Sequence, residues 1–150
     1  MLQEPLRARA ALLTLFAALL AGFPALAGYA QARVGAPAWA RATLVMPAAW
    51  VLLEWLRGLL FTGFPWLAFG YSQAASSPLA GYAPLLGVYG VSLAVAVNAG
   101  LLALLWQRKG RLGATLAALA VLWFGGEVLR GMEWTQAQGE PFKVSLLQGN

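Results

Sequence analysis

The sequence contains no cysteine, no histidine and no aspartate. Those absences exclude a disulfide, a thiolate nucleophile, an imidazole base and the Cys/His donor sets of zinc and iron–sulfur sites, so no metal or cofactor is expected within this chain. Charge of either sign is scarce: 10% of the 150 residues are charged, against roughly 25% in an average soluble domain. Acidic residues are scarcest, 5 against 10 Lys and Arg, and the formal net charge is +5. The basic residues are scattered near the ends of apolar runs, which argues against a nucleic-acid partner. What is abundant is apolar. Hydrophobic residues make up 61% of the chain and the mean hydropathy is +0.69. Apolar residues in that proportion cover a small protein's surface as well as fill its core, which excludes disorder and points to lipid as the solvent.

The runs between charges are long enough to cross a bilayer. No charge occurs from Ala10 to Ala32, and a helix needs about 20 such residues; Ala10 to Tyr29 is the first expected span. A second run follows Arg41 through Leu44, Trp50 and Leu53 to Leu60, interrupted by Glu54 and Arg57. The uncharged interval from Arg57 to Arg108 is too long for one helix, and Gly63, Pro65, Gly70, Pro78, Gly81 and Pro84 crowd its first half. That half is expected to be a loop from Thr62 to Pro84, and the remainder, Leu85 to Trp106, a third span. The fourth span runs from Leu112 to about Leu129, with Gly125, Gly126 and Glu127 read as its frayed end.

Arg108, Lys109 and Arg111 lie in the tight turn between spans three and four, which places that turn on the cytoplasmic side. Arg33 and Arg41 then also fall inside, while the uncharged loop from Thr62 to Pro84 lies outside. Arg7 and Arg9 are left on the outer side, which suggests further spans before Met1 or a misassigned start. A second account takes Arg7 and Arg9, the apolar Leu12 to Phe23 and Ala25-Leu26-Ala27 as a secretory signal with its cleavage site. It conflicts with the turn at Arg108.

The tail from Gly131 is polar, with Glu133, Gln136, Gln138, Glu140 and Lys143. Val144-Ser145-Leu146-Leu147 then has the pattern of a β-strand. A lone strand is not stable in water, so a soluble domain is expected to start there and to be incomplete. The expected organisation is a membrane region over residues 1–130 and a linker with a first strand over 131–150.

Few side chains offer more than packing. Glu54 and Arg57, three apart, share a helix face and are expected to form a structural ion pair, because an unpaired charge at a helix centre costs about 2.5 to 3.5 kcal/mol on insertion scales. Whether that pair is functional or pins the helix to its neighbours is left open by spacing. Glu127 and Arg130 repeat the interval nearer the water, as a solvated anchor. The uncharged segment from Phe61 to Gln73 packs Phe64, Trp66, Phe69 and Tyr71 together, and Trp and Tyr favour the headgroup level. It is either an aromatic belt or a cradle where lipid acyl chains or a lipidated partner enter. Gly90, Ala94 and Asn98 form a close-packing face that offers the Asn98 amide a partner across the contact.

Several short motifs occur in order: Glu54-Trp55-Leu56-Arg57-Gly58, Thr62-Gly63-Phe64-Pro65-Trp66, Gly70-Tyr71-Ser72-Gln73, Pro78-Leu79-Ala80-Gly81 and Gly87-Val88-Tyr89-Gly90. From Trp50 onward the chain resembles the membrane portion of the bacterial apolipoprotein N-acyltransferases, and Val144 to Asn150 resembles the first strand of that family's nitrilase-like domain. The resemblance implies an all-α polytopic membrane bundle of about four transmembrane helices in the bacterial inner membrane, with the start of an α-β-β-α nitrilase-like periplasmic domain at its C-terminus. It also implies an enzyme that moves an acyl chain from a phospholipid, through a thioester on Cys, to the free α-amino group of the diacylglyceryl-cysteine of an apolipoprotein. A Glu base and a Lys assist that Cys. None of this triad is present: Glu140 and Lys143 precede the strand after which the triad's Glu and Lys are expected. These 150 residues alone are therefore expected to be inactive and to contribute a platform, with no catalytic residue of their own and with membrane lipids around them. Phe64, Trp66, Phe69 and Tyr71 are the expected substrate contacts, fixed at their base by Glu54 and Arg57. The rival class is a non-enzymatic polytopic membrane protein, a transporter half or an assembly scaffold. Only Asn98, and Gly22 with Pro24, supply the polar or broken midplane helix that a transporter needs.

Overall fold

The computed structural model describes residues 3–60, 63, 66–74, 76–136, 138–140 and 144–146, with side chains from residue 6 onward. Four helices in it are long and apolar enough to cross a membrane. The first, α1, runs over Gln3–Arg33, and α2 covers Ala38–Leu59. After the outer loop, α3 spans Ala83–Trp106 and α4 spans Leu112–Arg130. All four expected spans are present, the first longer at both ends than its uncharged run. Leu12, Leu13 and Leu15 of α1 are 66 to 69% exposed, a surface that water would disfavour and hydrocarbon would not.

The bundle is organised around α3. Its Val91, Ser92, Ala94, Leu101 and Leu104 are buried, and it packs against both α2 and α4, while α1 packs on the far side of α2. Within α2 the backbone widens to a π turn over Arg41–Val45. Asn98 Oδ1 accepts a hydrogen bond from Trp123 Nε1 of α4 at 2.9 Å, the cross-helix partner expected for that amide. Gly90 faces other neighbours, Leu86 of its own helix and the carbonyl of Tyr82 just before it.

Trp106 ends α3 through a left-handed residue. Arg108 has φ of 52°, its N–H donates to the Leu105 carbonyl and that of Lys109 donates to the Leu104 carbonyl, both at 3.1 Å. This is the paired closure of a Schellman turn, which satisfies carbonyls that the helix end would otherwise strand. The turn leads into α4 and places Lys109 on the same groove as Arg41 and Gln31, at one end of the bundle.

The stretch expected as an open loop holds two 3-10 turns, Phe69–Gln73 and Pro78–Tyr82. The second is capped by Ser77, whose Oγ accepts from the Leu79 N–H at 3.2 Å, with Pro78 in the first turn where its missing N–H does no harm. It lies on α4: Tyr82 Oη donates to the Leu122 carbonyl at 2.8 Å, and Leu79 is 2% exposed. A Cβ on Gly81 would overlap the Gly126 carbonyl, and one on Gly126 would overlap that of Pro78. Gly125 and Gly126 are thus not a frayed end. They lie inside α4, where lack of a side chain lets another backbone approach. The chain then enters α3 through a break at Gly87, whose φ of 62° and ψ of −155° fall in a region open in practice only to glycine.

In the last turn of α4, Glu127 and Arg130 form an ion pair at 3.7 Å, and Arg130 Nη1 also donates to the Ser76 carbonyl at 2.9 Å. The pair is half exposed, as expected of an anchor, but it also ties the loop to α4. Among the described residues there is no β-strand. Val144 to Leu146 are exposed and carry no regular structure, since a strand needs a neighbour to pair with. Leu147 and the residues after it lie outside the described residues.

Candidate functional site

The site is built where the loop turns back against α2 and α3. Glu54 lies five residues before Leu59, the end of α2, hence about 8 Å along the helix axis from it, and is 6% exposed. Its Oε1 accepts two hydrogen bonds at 2.9 Å, one from Trp50 Nε1 a turn earlier and one from the backbone N–H of Phe69. The next N–H, that of Gly70, donates to Ser92 Oγ of α3 at 2.8 Å. These are leading N–H groups of the 3-10 turn Phe69–Gln73, donors that have no partner within the turn. A carboxylate from one helix and a hydroxyl from another therefore cap the turn and hold its start against the bundle. Irregular backbone packed against apolar helices needs its polar groups satisfied in this way.

The expected ion pair between Glu54 and Arg57 is not formed. Among the described residues the only ion pair is Glu127 with Arg130. Glu54 Oε2 and Arg57 Nε are both buried without a hydrogen-bond partner, and both residues line a cavity of ≈ 50 Å³ with Phe23, Pro24, Leu53 and Leu67. The carboxylate is instead held through Oε1, by the Trp50 indole N–H on its own helix and the Phe69 amide of the loop, and its free Oε2 does not reach the Arg57 guanidinium.

The aromatic residues divide between two environments. Phe69 stacks on Trp50 with ring centroids 4.5 Å apart and planes inclined by 24°, so it belongs to the base of the loop. Trp66 and Tyr71 are 69% and 53% exposed and face away from the bundle. Between them Leu67 is 82% exposed and holds φ at 62°, a conformation that costs a branched side chain energy and marks a shaped turn. Phe64 lies outside the described residues.

Sequence reasoning missed Ser92 and Trp50 as members of this group. For Trp50 a signal was available: it stands four residues before Glu54 and shares its helix face. Nothing local marks Ser92, which is joined to Gly70 only by the fold. Chemically the assembly positions rather than reacts. It fixes a carboxylate and a hydroxyl on backbone donors, and among the described residues it contains no nucleophile hydrogen-bonded to a base.

Residues 2–101 match the family described as the apolipoprotein N-acyltransferase N-terminal domain. The chain belongs to this family. It is 50% identical over 148 residues to the apolipoprotein N-acyltransferase of Nitrosomonas europaea, covering 98% of this chain and 29% of that protein. The enzyme of the same name from Methylococcus capsulatus is 49% identical over 144 residues, covering 94% of this chain and 28% of the relative. That from Coxiella burnetii is 46% identical over 112 residues. The chain thus spans less than a third of the length of the apolipoprotein N-acyltransferases it matches. The part matched to the family's N-terminal domain contains every member of the site, from Trp50 and Glu54 through the loop to Ser92.

Proposed function

We propose that this chain is the membrane-embedded platform of a bacterial apolipoprotein N-acyltransferase. In this reading a Cys thiolate outside these 150 residues attacks an ester carbonyl of a phospholipid, forming a thioester and releasing the lysophospholipid. The free α-amino group of a diacylglyceryl-cysteine then attacks the thioester, forming an amide and returning the thiol. Residues 131–150 lead into the nitrilase-like α-β-β-α domain that carries this Cys with its Glu and Lys. The bundle lies in the inner membrane, with Arg33, Arg41, Arg108, Lys109 and Arg111 on the cytoplasmic side, in line with the bias of basic residues. The aromatic loop and the tail face the periplasm.

The observation that carries this reading is the 50% identity to an apolipoprotein N-acyltransferase across 98% of the chain. The geometry supports a division of labour within the loop. The exposed Trp66 and Tyr71 meet acyl chains arriving from the outer leaflet, a role the family resemblance extends to Phe64, and Phe69, stacked on Trp50, anchors the segment to the Glu54 cap. Arg57 lines the cavity beneath it. The role is tested in the full-length enzyme with Trp66→Ala. Acyl transfer is expected to fall by about tenfold or more, the cost of about 1.4 kcal/mol of lost binding, while the yield of folded protein stays near that of the parent. Equal losses of rate and yield would reduce Trp66 to a packing element.

A further inference from the structure

Two grooves open at the basic end of the bundle, and the first extends to Trp50 and Phe69 at the base of the aromatic loop. One, of ≈ 450 Å³, lies between α2 and α3. Arg41, Lys109, Gln31 and Gln107 line one end of it, and Ala96, Trp50 and Phe69 line the other. From Gln107 to Ala96 it follows eleven residues of α3, about 16 Å at 1.5 Å per residue. The second, of ≈ 890 Å³, is bounded by α2, α3 and α4, with Lys109 and Arg111 at one end and Val121 and Leu122 toward the other. Lys109 and Leu104 line both grooves. Between the grooves, α2 and α3 touch where the Ala42 carbonyl sits against Gly100.

The charge at this end is of one sign. Arg33, Arg41, Arg108, Lys109 and Arg111 are the ionisable side chains there, and no Glu occurs between residue 55 and residue 126 or between residue 5 and residue 53. Arg41, Lys109 and Arg111 are exposed, and none of the three is in an ion pair among the described residues. Cations at the open end of apolar grooves between membrane helices complement a lipid that carries a negative headgroup.

We propose that the grooves bind one anionic glycerophospholipid of the bilayer. Its phosphate-bearing headgroup lies at Lys109, flanked by Arg41 and Arg111, and its two acyl chains straddle the contact between Ala42 and Gly100. The inference does not rest on acyl transfer, because the headgroup is held at the end of the bundle opposite the aromatic loop. The first groove nevertheless reaches Trp50 and Phe69, so its occupant packs against the back of the loop's base.

The test is native mass spectrometry of the full-length detergent-solubilised protein offered equimolar dioleoylphosphatidylglycerol and dioleoylphosphatidylcholine. The protein is expected to retain the anionic lipid with a preference of at least about fivefold, the factor that one cation near a charged headgroup supplies. The double variant R41Q/K109Q is expected to bring the ratio near one, while R41K/K109R keeps the preference. If the neutral double variant does not fold, Lys109→Gln at the exposed turn carries the test and is expected to reduce the preference. Equal retention of the two lipids, no retained lipid because other parts of the polypeptide fill the grooves, or a ratio unchanged by neutralisation would each overturn the proposal.

Discussion

The Glu54 carboxylate of α2 accepts a hydrogen bond from the backbone N–H of Phe69, fifteen residues later, at 2.9 Å. That contact, with the neighbouring bond from Gly70 to Ser92, makes an acidic residue within an apolar helix the cap of the 3-10 turn that follows. An intramembrane acid is costly unless it is engaged. Here it is engaged by the segment for which the family resemblance proposes a substrate role.

Replacing Glu54 separates the acceptor from the charge. Glu54→Gln keeps an oxygen acceptor for Trp50 and Phe69 and is expected to lower stability by about 1 kcal/mol or less. Glu54→Ala leaves a buried indole N–H and a backbone N–H without their acceptor and is expected to cost about 2 to 4 kcal/mol. Thermal unfolding of the full-length protein in detergent reads the difference. Equal midpoints for the two variants would show that Glu54 does not cap the turn.

Close approach of the second 3-10 turn to α4 makes a sharper contrast between glycines. Gly81→Ala forces a methyl group into the Gly126 carbonyl and is expected to destabilise by about 1 to 3 kcal/mol, because backbone must move on both sides. Gly113→Ala, at a position of α4 with open space around it, is expected to be neutral or stabilising by up to about 1 kcal/mol through helix propensity. The same unfolding measurement compares them, and a Gly81→Ala protein as stable as the parent would contradict the packing described.

Helices α3 and α4 are tied by the bond from Trp123 to Asn98. A double-mutant cycle with Trp123→Phe and Asn98→Ala is expected to give a coupling of about 0.5 to 1.5 kcal/mol, the range for hydrogen bonds between membrane helices. Additive losses would mean that the bond contributes nothing to the packing of the two spans.

The spans were legible because hydrophobic length is a local property. The apolar runs at Ala10 to Tyr29, Leu85 to Trp106 and Leu112 to Leu129 each fall within an observed helix apart from shifts at the ends. The site was legible only in part. Glu54 stood out as a charge in an apolar run, and spacing suggested Arg57 as its partner; the partners it has are an indole on its own helix and an amide beyond the loop. The second of these is a long-range relation that no periodicity encodes. Gly125 and Gly126 misled for the same reason, since glycine marks a helix end or a close contact alike until the neighbour is known. The four aromatic residues read as one group divide in the fold, with Phe69 stacked on Trp50 while Trp66 and Tyr71 face outward. The segment from Val144 has a strand-like sequence, but among the described residues it has no strand to pair with.

The central claim is that these residues form the membrane platform of an apolipoprotein N-acyltransferase. The most direct measurement supplies the purified full-length protein, in phospholipid-containing detergent micelles, with a peptide that begins with diacylglyceryl-cysteine and has a free α-amino group. Mass spectrometry then follows the peptide. The account predicts a gain equal to one amide-linked fatty acyl chain, abolished when the peptide's amino group is blocked beforehand. A folded full-length protein that leaves the free-amine peptide unchanged would contradict it.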